Sequence, residues 1–304
     1  MAVAVASTTS SAWAGVANGG SIDLTPPSGL AVGDLIIAHI AGTSNVAATF
    51  GVSTADGGWV ALGNLSAGAG GTAGMRVFYK IADADDLTNL NNEFRFSNNS
   101  GSGFMMAGGL YRITGYSGVP SIALDGDDTA DSTPTFTNTI TPSFADSLLL
   151  FLLTANDDQN SGSVAGYAIT TSNPGTWTEA YDTYGDSTAF FGGGDGDALY
   201  SGAYANRPET TATGDSTCTL TTFANRSVGA IVVVTPVTNV TVSPAVITAV
   251  VAVQAPAITG GAVVSPAVIT ATASVQAPTV TTAAPDWVNT DKSSAPSWVN
   301  RDKS

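Results

Sequence analysis

The chain has 304 residues, with 24 acids against nine basic side chains, a formal net charge of −15, 43 % hydrophobic residues and only 11 % charged ones. Its apolar content suffices for a sizeable core, and its negative charge repels phosphate backbones and anionic lipid faces, which argues against nucleic acid and membranes as partners. Abundant Gly, Thr, Ser, Ala and Val favour strands joined by turns over long helices, so an all-β protein is expected.

The opening MAVAVASTTSSAWAG lacks a basic n-region and a sustained apolar run, so no signal peptide is read there. No stretch of eighteen apolar residues follows, and no membrane span is expected. Strands bounded by Gly, Asn, Asp or Pro clusters are predicted at Ala2–Ala6, Ser21–Leu24, Asp34–Ala41, Trp59–Leu62, Met75–Ala82, Glu93–Ser97 and Phe104–Thr114. Further strands are predicted at Thr135–Ile140, Ser147–Thr154, Thr176–Tyr181, Ala198–Tyr204, Ser216–Thr222 and Arg226–Thr235. The acids of Ala82–Leu90 suit the opening of one helical turn.

In MRVFYKIA, Val77, Tyr79 and Ile81 alternate with Arg76, Phe78 and Lys80, which predicts one buried and one solvated face. LLLFLL is apolar throughout and predicts a strand covered on both faces. Together these imply two layers. The expected architecture is an antiparallel β-sandwich, jelly-roll-like, over residues 1–236.

Composition changes near Val237. Residues 237–282 form an Ala/Val/Thr/Pro arm in which VSPAVITAVVAVQAPAIT, from Val242, is echoed 22 residues later by VSPAVITATASVQAPTVT, with 13 of 18 positions identical. Prolines at 244, 256, 266 and 278 exclude a continuous helix. A flexible extended linker is one reading of the arm. The other is an interface segment, because solvated linkers are poor in Val and Ile, so Val246, Ile247, Val268 and Ile269 are candidate assembly residues. Residues 283–304 repeat the phrase APxWVNxDKS, which marks Trp287 and Trp298 as candidate aromatic anchors, with Lys292, Arg301 and Lys303 as basic contacts to an acidic neighbour. A solvated tail left by duplication is the alternative.

Catalytic constellations are sparse. Glutamates occur only at 93, 179 and 209, and the aspartates cluster in turn-like phrases such as DGDDTAD. The sole cysteine, Cys218, and the sole histidine, His39, both lie in strand-like runs and read as core residues rather than a reactive pair. DGDD and GGGDGD offer oxygen ligands but lack the twelve-residue loop ending in Glu, and the Gly-rich phrases lack the Lys and Ser/Thr of a phosphate loop. No metal, cofactor or enzymatic activity is therefore expected. Trp177, Tyr181, Tyr184 and Tyr200 lie in turn-rich phrases where sugar rings could stack on them, against the alternative that these rings fill the core.

The stretch SIDLTPPSGLAVGDLIIAHIAG, with GGWVALG, MRVFYKIAD, RSVGAIVVVTP, the SPAVITA…VQAP repeats and the APxWVNxDKS endings, resembles the virion structural proteins of tailed bacteriophages. The resemblance implies a multi-copy, non-enzymatic part of the particle surface, a minor tail or fibre component or a head-decoration protein. Its implied partners are copies of itself, as a trimer, and other virion proteins. A host-surface glycan is the partner under the adhesin alternative.

Overall fold

The computed structural model describes residues 2–43, 49–52, 57–67, 73–88, 93–99, 102–156, 162–170, 175–185, 198–222 and 226–237. The chain divides into two compact units, Met1–Thr238 and Asn239–Ser304. The first is almost wholly β. The arm candidates Val246, Ile247, Val268 and Ile269 and the tail candidates Trp287, Lys292, Trp298, Arg301 and Lys303 lie outside the described residues.

Among the described residues, seventeen strands and one short helix follow one another. They are β1 (Ala4–Ser10), β2 (Ala14–Val16), β3 (Ser21–Leu24), β4 (Leu35–Gly42), β5 (Phe50–Val52), β6 (Val60–Ala67), β7 (Ala73–Ile81), α1 (Ala84–Thr88), β8 (Phe94–Asn98) and β9 (Phe104–Thr114). The second half contains β10 (Ser121–Asp127), β11 (Thr135–Phe136), β12 (Ser147–Asn156), β13 (Val164–Ile169), β14 (Thr178–Gly185), β15 (Ala198–Arg207), β16 (Ser216–Leu220) and β17 (Arg226–Val234).

All the predicted strands recur, Ser21–Leu24 and Phe104–Thr114 with the same ends and the others with shifted ones, and β2, β5, β10 and β13 are additions. The additions are short or carry few large apolar residues, which leaves little periodic signal.

The strands form four sheets. A large sheet β1-β9-β4-β7-β6, with β2 also on β9, is flanked by the small sheet β3-β8-β5. A second large sheet, β10-β17-β12-β15-β14, is flanked by β11-β16-β13. The large sheets meet face to face through Leu35, Ile37, Val77 and Tyr111 on one side and Leu148, Leu150, Leu152 and Val232 on the other. Ile36, Ile40, Phe78 and Phe96 fill the core under the first small sheet, and Leu149, Phe151, Leu153 and Cys218 the core under the second.

The count of two layers is thus corrected to four. LLLFLL is buried on both faces, as its continuous apolar run requires. MRVFYKIA is not half-solvated, because the small sheet covers the face that carries Phe78. Lys80 is only 4 % exposed, and its Nζ lies 2.5 Å from Asp86 Oδ1 of α1. An ion pair under a helical turn lets a lysine sit where alternation predicts water.

The two halves share one strand order. In each, the first strand pairs the eighth, the eighth the third, the third the sixth and the sixth the fifth, while the second, seventh and fourth form the small sheet, if β2 and α1 are set aside. This is the jelly-roll arrangement with the fifth strand moved to the edge of the large sheet.

The registers agree as well. Leu35 pairs with Ile113 and Ile40 with Gly108, as Leu148 pairs with Val234 and Leu153 with Gly229. β6 and β14 carry their bulge at the same place, between Ala61 and Gly63 and between Glu179 and Tyr181. Two residues before the equivalent Leu35 and Leu148, Gly33 and Asp146 both adopt positive φ, 90° and 58°. For a non-glycine residue that conformation is uncommon, and Asp is among the residues that tolerate it.

Candidate functional site

A concavity lies on the second sandwich, where the start of β13 faces the approach to β14. It measures about 450 Å³ and is lined by Val164, Gly166, Tyr167, Thr176, Trp177 and Glu179. The Trp177 ring stands edge-on to Phe151 at 6.1 Å and lies 6.4 Å from Tyr167, so one side is anchored in the core while the residue remains half-buried. Glu179 is exposed at the rim. Three residues along the strand, Asp182 accepts the Val164 N–H at 2.8 Å through Oδ2, while its buried Oδ1 has no hydrogen-bond partner among the described residues. Burial, with the neighbouring Glu179 adding to it, pushes the Asp182 carboxyl up to about 6 despite the Val164 bond.

Of the four aromatic residues read as possible sugar-stacking groups, only Trp177 borders this concavity. Tyr184 is half-buried on β14. Tyr181 and Tyr200 are a correction: they are 6 % and 0 % exposed and lie between the two large sheets. Alternation along β14 and β15 turns them toward the opposite sheet, where no sugar can stack on them.

Around them a second constellation is sealed from solvent. His39, fully buried on β4, hydrogen-bonds with Tyr181 Oη at 3.0 Å through Nδ1 and with Thr154 Oγ1 at 3.0 Å through Nε2. A neutral imidazole donates through one nitrogen and accepts through the other, which satisfies both partners without a buried charge. Desolvation pulls its pKa down to about 3. Tyr200 Oη donates to the carbonyls of Ser11, at 2.5 Å, and Gly108, at 3.1 Å. Trp13 Nε1 donates to the Thr183 carbonyl at 3.0 Å. Burial raises the phenols of Tyr111, Tyr181 and Tyr200.

Close packing here depends on Gly109 and Gly202, over which the Tyr181 ring lies so tightly that a Cβ at either position would overlap it. The alternation of β14 and β15 in the sequence was the available signal for this cluster, but only the fold shows which sheet faces it.

Cys218 is buried under the second small sheet, and burial raises its thiol pKa, with Asp131 and Asp127 adding to the effect. It occupies the place that Phe96 takes in the first half, by the pairing of β8 with β3 and of residues 134 and 218. His39 and Cys218 belong to different cores. Among the described residues no three His, Cys, Asp or Glu side chains converge as a metal site, and no helix there is long and apolar enough to cross a membrane. No family model, no curated protein and no solved structure matches this chain.

Proposed function

We propose that the chain is a non-enzymatic structural component of a bacteriophage virion, a tail or fibre appendage or a capsid decoration, that assembles through residues 237–304. The observation that carries the structural role is where the fold places its reactive side chains. His39, Tyr111, Tyr181, Tyr200 and Cys218 all lie sealed within the packing, where they join layers instead of facing a substrate. The virion setting rests on the resemblance of the sequence phrases, and the assembly role of the arm on its Val- and Ile-rich repeats.

Particles labelled with an antibody raised against residues 1–236 test this reading by electron microscopy. Label at regular sites on the particle surface is the expected result. Its absence from purified particles overturns the virion assignment. Removal of residues 237–304 is expected to abolish incorporation, and normal copy number after truncation would exclude the arm as the attachment element.

A second reading, a glycan-binding adhesin, is favoured by the Trp177 concavity, where an aromatic ring and the Glu179 carboxylate border one opening. A glycan array with the full chain separates the two, since a bound glycan lost in Trp177→Ala would support the adhesin.

A further inference from the structure

With β2 set aside, each half of the body is a complete eight-stranded sandwich, and the way the halves meet is that of a two-fold dimer. β6 lies against β10, and β1 against β14. Since β1 corresponds to β10 and β6 to β14 in strand order, these are one contact made twice, as an isologous interface requires.

The segments that leave the two last strands show the same symmetry. Val237 N–H donates to the Gly115 carbonyl at 2.9 Å, Ser117 N–H to the Thr235 carbonyl at 2.8 Å, and Tyr116 bridges to Pro236 antiparallel. Continuing the registers of β9 and β17 makes Gly115 equivalent to Pro236 and Tyr116 to Val237. Each segment therefore pairs with its own counterpart, which places the pseudo-dyad between them.

The surface between the large sheets is apolar, with a polar set at its centre that crosses from one half to the other. His39 reaches Tyr181 and Thr154, Trp13 reaches Thr183, and Tyr200 reaches Ser11 and Gly108. An apolar face with a buried, matched polar network selects its partner, because a misplaced sheet leaves those groups unpaired in the dry interior. Only one covalent connection crosses, between Thr114 at the end of β9 and Ser121 at the start of β10, and its Val119 is 65 % exposed.

We infer that the body is a sandwich dimer built within one chain, in which the inner sheet of each half is a recognition surface for a second sandwich of the same strand order, independent of the peptide that joins them. The partner chemistry is that of the opposite half: an apolar sheet that presents Tyr181, Thr154 and Tyr200 to His39, Trp13 and Ser11.

The test inserts a protease recognition sequence between Gly118 and Val119 of the full chain and cuts it after folding. The two fragments are expected to elute as one species at neutral pH, to keep the near-UV circular dichroism of the uncut chain and, after separation in denaturant, to recover that signal only when mixed. In the cut protein, His39→Leu is expected to raise the dissociation constant between fragments at least tenfold. Thr154→Val, which keeps the ring in place, is expected to shift it the same way. Fragments that part at micromolar concentration under native conditions, lose the folded signal on cutting, or regain it alone with no gain on mixing would overturn the inference.

Discussion

Trp59 and Trp177 stand at the same point of the two sandwiches, each immediately before its half's fifth strand, and each turns its ring edge-on into the core under the small sheet. Trp59 meets Phe94 and Phe96 at 5.2 Å, and Trp177 meets Phe151 at 6.1 Å. The pairing of Val60 with Tyr79 and of Thr178 with Tyr204 fixes the equivalence. Trp177 is thus part of the common plan of both halves, whatever its exposed edge touches.

Replacing either ring by alanine removes the lid of its own core and should destabilise the protein by about 2–4 kcal/mol, somewhat under a fully buried aromatic because both residues are half-exposed. Trp59→Phe should cost much less than Trp59→Ala, since the buried Trp59 Nε1 has no hydrogen-bond partner among the described residues to lose. Denaturant midpoints of the three variants check this. A Trp177→Ala midpoint equal to wild type would assign that ring to surface binding alone.

The second equivalence concerns glycine. A Cβ on Gly108 would come within 2.8 Å of Leu24 on β3, and one on Gly229 would overlap the Phe136 ring on β11, its counterpart. Gly229→Ala should cost roughly 1–3 kcal/mol by overpacking. Phe136→Leu in the same chain should recover part of that loss, giving a favourable coupling of about 1 kcal/mol in a double-mutant cycle. Strictly additive effects would mean that the ring and the glycine do not share space.

These paired positions also show what could be read from the chain alone. The all-β class and both-face burial of Ser147–Asn156 followed from apolar runs, which report local burial. The duplication did not. Its traces are a Gly-x-Trp before β6 and β14, a Gly at 108 and 229, and positive φ at Gly33 and Asp146, all features of backbone geometry. At most other equivalent positions, as with Phe96 and Cys218, a similar shape is filled by an unlike residue. Covering of β7 by a second sheet was hidden for a related reason: Lys80 is polar in sequence but neutralised by Asp86, and a period-two pattern cannot register a buried ion pair.

Cys218 gives a direct reporter of the second sandwich. Its thiol is buried and its pKa raised, first by desolvation, so the thiolate that attacks a disulfide reagent is scarce at neutral pH. Labelling of the folded chain should be negligible over hours at pH 7 and should become complete within minutes in denaturing guanidinium. Fast stoichiometric labelling of the native protein would show that the core under β16 opens readily.

The pH dependence of stability should carry two opposed signatures. His39 has a folded pKa of about 3, below its unfolded value, so the unfolded chain binds the extra proton in between; stability falls as pH drops from about 6.5 to 3, by up to about 1.4 kcal/mol per unit. Asp182 has a folded pKa of about 6, above its unfolded value, so the folded chain binds the extra proton; stability instead rises as pH drops from about 6 to 4, with a smaller slope because water still reaches the group. Between pH 6 and 4 the two contributions partly cancel, and below pH 4 Asp182 no longer offsets the loss from His39, to which Asp125, its pKa lowered despite desolvation by hydrogen bonds from Thr137 and Gly126, adds. Asp182→Asn should therefore steepen the acid loss between pH 6 and 4 relative to wild type, whereas His39→Gln should flatten or reverse it. Urea unfolding of the three proteins at half-unit steps from pH 7 to 3 measures both difference curves. Coincident curves for His39→Gln and wild type below pH 6 would mean that the ring is protonated as easily in the folded chain as in the unfolded one, and so is not sealed between the sheets.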